Sequence, residues 1–269
     1  MIDFCLGQVI GNISISLIGF CIGSFANVCI HRVPRGRSVA VPRSRCPRCH
    51  GEIAWYDNIP VLSWCWLGGK CRVCREKISV RYPLVELLMA VLFLSVYFIS
   101  SDSSHLMFGL VLTFVLVVIS IIDLDWRIIP DIFSLGLLGV GIVLSPMNEG
   151  LGDNGSTRAL ASVVGAGVGF GSAWIMATIG RRVFKREALG GGDVKLLAGV
   201  GAFLGWSGVL TSWFLGSVLG STVFVGLKFR RKMEWGTYLP FGPFLAAGAW
   251  AHWAWPGFFL KWWGLDWGP

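Results

Sequence analysis

The chain has 269 residues, of which 54% are hydrophobic and only 14% charged, and its mean hydropathy is +0.67. Such a composition excludes an ordinary soluble domain and indicates a multi-span membrane protein. The net charge of +8 is explained by basic loops held on one side of a membrane, so no nucleic-acid partner is expected.

Apolar runs recur at residues 9–30, 84–99, 106–122, 132–144, 159–179, 194–206, 209–227 and 239–255. They predict an all-α polytopic membrane protein with about eight transmembrane helices, several shorter than the ~20 residues that cross a bilayer comfortably. The first run lacks a basic segment before it and a small-residue cleavage site after it, so it reads as a retained helix rather than a signal peptide. Gly19 and Gly23 give that helix a small-xxx-small face for close packing. Asn27, near its end, reads as a hydrogen-bonding residue at a helix interface.

Residues 32–83 are the one stretch able to fold outside the bilayer. Of the 23 Lys and Arg, 11 lie here. Cys46-Pro47-Arg48-Cys49 and Cys71-Arg72-Val73-Cys74 are two knuckles separated by 21 residues. Two tight turns that each aim a pair of thiolates at one point make a tetrahedral four-sulfur zinc site. Disulfides and a redox pair are the competing explanations. A cytoplasmic location disfavours the first, and the absence of a thioredoxin-like context disfavours the second. The insert is therefore expected to be zinc-ribbon-like, with structural zinc on Cys46, Cys49, Cys71 and Cys74. Cys65 is a spare thiol, and Cys5, Cys21 and Cys29 read as small apolar residues of the first helix.

The remaining charges orient the bundle. Arg127, Arg181, Arg182, Lys185, Arg186, Lys195, Lys228, Arg230, Arg231 and Lys232 fall on the same side as the insert if eight helices alternate; only Arg158 and Lys261 fall on the other. The positive-inside rule then puts the insert in the cytoplasm and both termini outside. Loops 100–105 and 145–158 read as solvated outer turns. His105 reads as exposed, and His252, among Trp250, Trp253 and Trp255, as interfacial. Trp126, Trp235, Trp262 and Trp263 fit an aromatic belt.

The organising stretch is Glu187-Ala188-Leu189-Gly190-Gly191-Gly192-Asp193-Val194-Lys195, where a carboxylate follows three glycines and opens an apolar run. An ionisable group at membrane depth is a functional hypothesis by default. A second cluster, Asp123-Leu124-Asp125 with Asp131 beyond Pro130, closes the third run. Alternation places Asp123 and Asp193 at the same side and at comparable depth, although they are 70 positions apart. The run 194–206 spans only ~20 Å as a helix against a ~30 Å hydrocarbon core. The glycines before it can therefore line a water-filled recess where a substrate backbone comes close. Two carboxylates with water there suit peptide hydrolysis, one drawing a proton from water while the other polarises the scissile carbonyl. Asp131 reads as a first-turn helix residue. Asp125, two positions from Asp123, cannot share its helix face. An ion- or proton-coupled transporter is the alternative use of intramembrane Asp residues, and it favours mid-bilayer positions over helix ends.

The chain resembles the bacterial type IV prepilin leader peptidases, which also N-methylate their product. The resemblance rests on Gly23-Ser24-Phe25-Ala26-Asn27-Val28, the two CxxC pairs, Asn58-Ile59-Pro60 with Ser63-Trp64, and Ile78-Ser79-Val80-Arg81-Tyr82-Pro83 with Glu86. It continues through Asp123 seven residues before Pro130, Gly190-Gly191-Gly192-Asp193 with Lys195 (the GxGD signature), and Pro240-Phe241-Gly242-Pro243. It implies an intramembrane aspartic endopeptidase that removes the basic leader of type IV prepilins or pseudopilins after a Gly, on the cytoplasmic side. It also implies methylation of the new N-terminal residue with S-adenosylmethionine, in the service of type IV pili or type II secretion. The resemblance selects Asp123 and Asp193 as catalytic, with Gly190, Gly191, Gly192 and Lys195 lining the active site. The expected organisation is a first transmembrane helix over 1–31, a zinc-binding insert over 32–83 and a peptidase bundle over 84–269. Zinc is expected to be structural because a closed four-sulfur site has no open position for hydrolytic water.

Overall fold

The structure, a computed structural model, describes residues 2–185, 189–229 and 239–264. Of the residues singled out above, Arg186, Glu187, Ala188, Arg230, Arg231, Lys232 and Trp235 lie outside the described residues, as does the side chain of Cys5. Among the described residues the protein is helical and has no strand. The helices are α1 (Ile2–Arg32), α2 (Leu62–Trp66), α3 (Arg81–Ile99), α4 (Ser103–Trp126) and α5 (Asp131–Leu144), then α6 (Gly155–Phe184), α7 (Gly191–Phe229), α8 (Gly242–Ala254) and α9 (Pro256–Trp262). All eight apolar runs are helical. Five helices are long and apolar enough to cross a membrane: Gly7–Arg35, Arg81–Ile99, Ser103–Trp126, Gly155–Val183 and Gly191–Phe229. This is a multi-pass membrane protein.

Runs 194–206 and 209–227 are distinct helical segments, as expected, and form the two arms of α7, parted at a kink where Gly205 adopts φ 70° and ψ −177°. A residue with a side chain is strained in that conformation, so glycine makes the bend possible. Two polar side chains complete the carbonyls before it: Asn148 Nδ2 donates to Phe203 O at 2.8 Å and Ser162 Oγ to Ala202 O at 2.8 Å. An unpaired carbonyl at membrane depth would otherwise cost several kcal/mol, on the order of 2–7.

The chain divides into two compact units, Met1–Ser100 and Ser101–Pro269. In the first unit α1 packs on α3. A Cβ on Gly19 would lie 2.6 Å from Ala90 Cα, and one on Gly23 would lie 2.7 Å from Glu86 Cα. Both glycines thus let the two backbones touch, as the small-residue face anticipated. Asn27 closes the same interface by donating to Tyr82 O at 3.0 Å.

In the second unit α7 is central and packs on α5, α6 and α8, while α4 packs on α8. The side chains of Leu196, Leu197, Val200 and Phe203 on α7 are fully buried. Gly165 and Gly169 of α6 abut the backbone of Gly201 and Leu197 so closely that any Cβ at Gly165, Gly169 or Gly201 would overlap it. Helix ends follow ordinary capping chemistry. Asp102 accepts from His105 N–H at 2.8 Å before α4, and Asn154 with Thr157 forms a capping box before α6. Arg127, in the left-handed conformation (φ 56°), ends α4.

Candidate active site and metal centre

The two cysteine knuckles in the first unit are built alike. In the first, Cys46 N–H donates to Gly51 O and His50 N–H to Cys46 O; in the second, Cys71 N–H donates to Glu76 O and Arg75 N–H to Cys71 O. His50 (φ 56°) and Arg75 (φ 59°) take the same left-handed conformation immediately after the second Cys of each pair. A single β-bridge flanks each knuckle, Arg45 with Glu52 and Lys70 with Lys77. Arg48 and Glu76 form an ion pair that joins the two knuckles.

The four sulfurs of Cys46, Cys49, Cys71 and Cys74 lie within 4.8 Å of one another. The N–H groups of Cys49 and Arg48 pull the Cys46 thiol down to about 7. Although the Glu76 N–H favours its thiolate, desolvation and the thiols of Cys49, Cys71 and Cys46 push Cys74 up to about 11. The Cys46 thiolate is thus favoured and that of Cys74 disfavoured while no cation neutralises the cluster. The chemistry and spacing fit a soft divalent metal in a closed tetrahedral site. Cys65, exposed in α2, is not part of the group.

A separate polar knot in this unit gathers the other motifs of the resemblance. Glu86, 7% exposed on α3, accepts from the backbone N–H of Val61 at 2.8 Å and from Ser24. Trp64 Nε1 donates to Ile78 O and Ser63 Oγ to Ile59 O. The insert's Asn58-Ile59-Pro60 turn is thereby fastened to the helix pair through one buried carboxylate.

The second unit holds the carboxylates. Asp123, in the last turn of α4, is 5% exposed, and Asp193, in the first turn of α7, is 4% exposed. Asp193 is held by its glycine loop: its N–H donates to Gly190 O at 3.1 Å, and its Oδ2 accepts from Gly190 N–H at 3.1 Å. Its Oδ1 is buried and has no partner among the described residues. Asp123 Oδ2 accepts from Gly242 N–H at 2.9 Å, a buried bond to the first turn of α8. The two acids are close enough that the charge of one acts on the other. One side chain bridges their supports. Ile129, in the turn between α4 and α5, lies against both Gly192 and Gly242.

Two buried carboxylates with no basic partner among the described residues are costly. The unpartnered Asp193 oxygen is the atom most open to a hydrogen bond from water or substrate. The glycines around the pair present bare backbone: Gly191 has open space above it, and a Cβ on Gly242 would sit 2.8 Å from Asp123 Oδ2. A cavity of about 790 Å³ lined by Ser217, Gly220, Phe224, Lys228 and Phe241 opens beside the same first turn of α8.

The other sequence candidates make different contacts. Lys195 spends its ammonium on both oxygens of Asp131, at 2.7 and 2.8 Å, joining the first turns of α5 and α7. Asp125 is exposed. His252 is a correction to the interfacial reading: it is 4% exposed, with Nδ1 3.0 Å from Thr211 Oγ1 and Nε2 3.5 Å from Ser207 Oγ. Hydroxyls one turn apart on α7 supply partners that the tryptophan-rich context concealed. His105 is half-buried rather than solvated and stacks on Trp253, ring centroids 4.6 Å apart. The role of Gly242 was not legible from the Pro-Phe-Gly-Pro motif itself, and Ile129 carried no signal beyond an apolar residue before Pro130.

Comparison with known proteins gives a consistent result. Residues 17–100 match the model of the bacterial peptidase A24 N-terminal domain, and residues 110–225 match that of the type IV leader peptidase family. A protein of Aeromonas hydrophila named prepilin leader peptidase/N-methyltransferase is 36% identical over 272 residues, covering 91% of each chain. Proteins of the same name from Myxococcus xanthus and Neisseria gonorrhoeae are 44% and 32% identical. The former covers 77% of this chain and 60% of its own, the latter 87% of each. No solved structure matches the chain significantly.

Proposed function

This chain belongs to the type IV leader peptidase family, and we propose that it cuts the leader from type IV prepilins or pseudopilins with Asp123 and Asp193 as its catalytic pair. The observation that carries the reading is the buried pair itself, each acid fixed by one glycine N–H and one oxygen of Asp193 left without a partner. Gly190 and Gly242 hold the acids by their backbones, so no substrate contact is needed to order them. One carboxyl keeps the proton and polarises the scissile carbonyl, while the ionised partner takes a proton from the attacking water. Which acid holds the proton is a property of the pair. Gly191 and Gly192 leave room for a substrate backbone to lie against the pair. Lys195 borders the site and fixes the α5–α7 mouth through Asp131, rather than donating to the acids. A transporter has no support from the family or from the helix-end position of the acids.

The four cysteines would hold one zinc ion, which stabilises the fold of the insert and leaves no open position for hydrolytic water. The names of the relatives carry methyl transfer over to this chain, with S-adenosylmethionine as donor. Among the described residues no glycine-rich nucleotide loop follows a strand, so no step of that transfer is assigned to side chains. Residues 1–31, 32–83 and 84–269 act as first helix, metal insert and peptidase bundle, with the insert cytoplasmic and both termini periplasmic in the inner membrane.

The test is cleavage of a prepilin-derived peptide by the purified chain. Asp123→Asn and Asp193→Asn should each abolish cleavage while the melting temperature holds, and Asp125→Asn should retain most of the rate. Full activity in a folded Asp123→Asn variant would overturn the assignment.

A further inference from the structure

We propose that the second cysteine knuckle carries a site for the phosphate of an anionic phospholipid, formed by Lys70 and Lys77, with Leu62 and Trp66 of α2 set into the bilayer boundary beside it. The proposal stands on the first unit alone and goes beyond the peptidase reading.

Hydrogen bonds fix the depth of α2. The helix α3 is long and apolar enough to cross a membrane, and Glu86 lies five residues, about 8 Å, inside its start. Helical side chains lean toward the N-terminus, and the Glu86 carboxylate accepts from Val61 N–H at 2.8 Å. Val61 immediately precedes α2. Within α2, Trp64 Nε1 donates to Ile78 O at 3.2 Å, three residues before α3 begins. The short helix is thus tied to the level at which α3 enters the bilayer.

One face of α2 has no protein cover. Leu62 and Trp66, one turn apart, share a face and are 65% and 77% exposed. A leucine and an indole left bare where a membrane helix begins suit the boundary between acyl chains and headgroups.

The charges beside that face separate the two knuckles. In the first, the β-bridge pairs Arg45 with Glu52, whose side chains form an ion pair at 2.8 Å. In the second, the same bridge sets Lys70 against Lys77. Both are exposed, and neither has an ion pair among the described residues. Like charges directly opposite each other repel. No acid of the insert is left over to relieve them, because Glu52, Glu76 and Asp57 are spent on Arg45, Arg48 and Arg72. The lysine bridge also adjoins α2: Ile78 N–H donates to Gly69 O at 2.7 Å, and a Cβ on Gly69 would lie 2.9 Å from the Trp64 ring. Two ammonium groups next to a bare apolar face complement a lipid phosphate whose acyl chains meet that face. Water alone could solvate two spread lysines, but it gives them no preference among lipids.

The experiment puts p-benzoylphenylalanine in place of Leu62 or Trp66 in the full-length chain, reconstituted in mixed vesicles of phosphatidylglycerol and phosphatidylcholine. Either lipid carries a tag in its acyl chains. Irradiation should attach tagged lipid at both positions. At equal mole fraction and low salt, phosphatidylglycerol should be captured at least about threefold over phosphatidylcholine, since one basic side chain near a surface favours anionic lipid by roughly fivefold. Lys70→Gln/Lys77→Gln should bring that ratio toward one, whereas Arg45→Gln/Glu52→Gln, which removes equal and opposite charges, should leave it unchanged. Raising the salt should shrink the wild-type ratio, a reading that needs no lysine variant. Inorganic phosphate at matched ionic strength should not abolish it; if it does, the lysines take the free ion and the lipid site is refuted. Equal capture of the two lipids in the wild type would also overturn the phosphate site. No lipid adduct at either position, or adducts confined to protein, would overturn the boundary face.

Discussion

Gly242→Ala is the sharpest perturbation of the proposed catalytic pair that leaves both acids in place. The backbone of Gly242 is in the first turn of α8 and does not need positive φ, so alanine fits the helix. The added Cβ, however, lies 2.8 Å from Asp123 Oδ2 and 3.3 Å from its Cγ. Relief requires Asp123 to swing away or α8 to back off, and either movement breaks the 2.9 Å bond from Gly242 N–H. A hydrogen bond to a charged group contributes about 1.5–3 kcal/mol. At about 1.4 kcal/mol per tenfold, its loss at the transition state lowers kcat/KM roughly 10- to 150-fold. The control is Gly248→Ala on the same helix, where the Cβ would meet Ser212 Cα at 2.8 Å, in the contact between α8 and α7. That variant should lower the melting temperature more than Gly242→Ala does. Cleavage of a prepilin-derived peptide and a thermal melt in the same detergent separate the two. Wild-type kcat/KM in Gly242→Ala would refute the positioning of Asp123 by this N–H.

Two further outcomes follow from the first unit. Cys46→Ser/Cys49→Ser should release the bound metal and loosen the insert, so that limited proteolysis within residues 35–80 accelerates, while cleavage falls less than it does in either Asp→Asn variant; a metal-free variant that stayed folded yet lost cleavage alone would make the metal part of hydrolysis. Cys65, exposed in α2, should react with a membrane-permeant thiol reagent and resist an impermeant one added to intact cells, and labelling from outside would reverse the orientation.

The sequence disclosed the helices because lipid leaves few alternatives: an apolar run of sufficient length must satisfy its own backbone hydrogen bonds. It disclosed the knuckles because thiolate ligands at fixed spacing are a local signal, and the matched turns after Cys49 and Cys74 are local geometry too. The break near Gly205 showed in the sequence as the division between runs 194–206 and 209–227, but the residue that makes it did not, since one glycine in a glycine-rich stretch looks like any other. Its cost is met by Asn148 and Ser162, 57 and 43 positions away, which only the packed bundle brings to the carbonyls.

The active site divides along the same line. Asp193 announces itself, because the glycines that hold it are its own neighbours in the chain. Asp123 does not: its partner N–H is 119 positions distant, and Asp125 competes for the role until the fold exposes one acid and buries the other. That asymmetry has a physical consequence. The Asp193 loop can be ordered by local contacts, whereas Asp123 is set only when α8 docks on α4. Here the long-range bond from Gly242 makes completion of the bundle a condition for completing the pair.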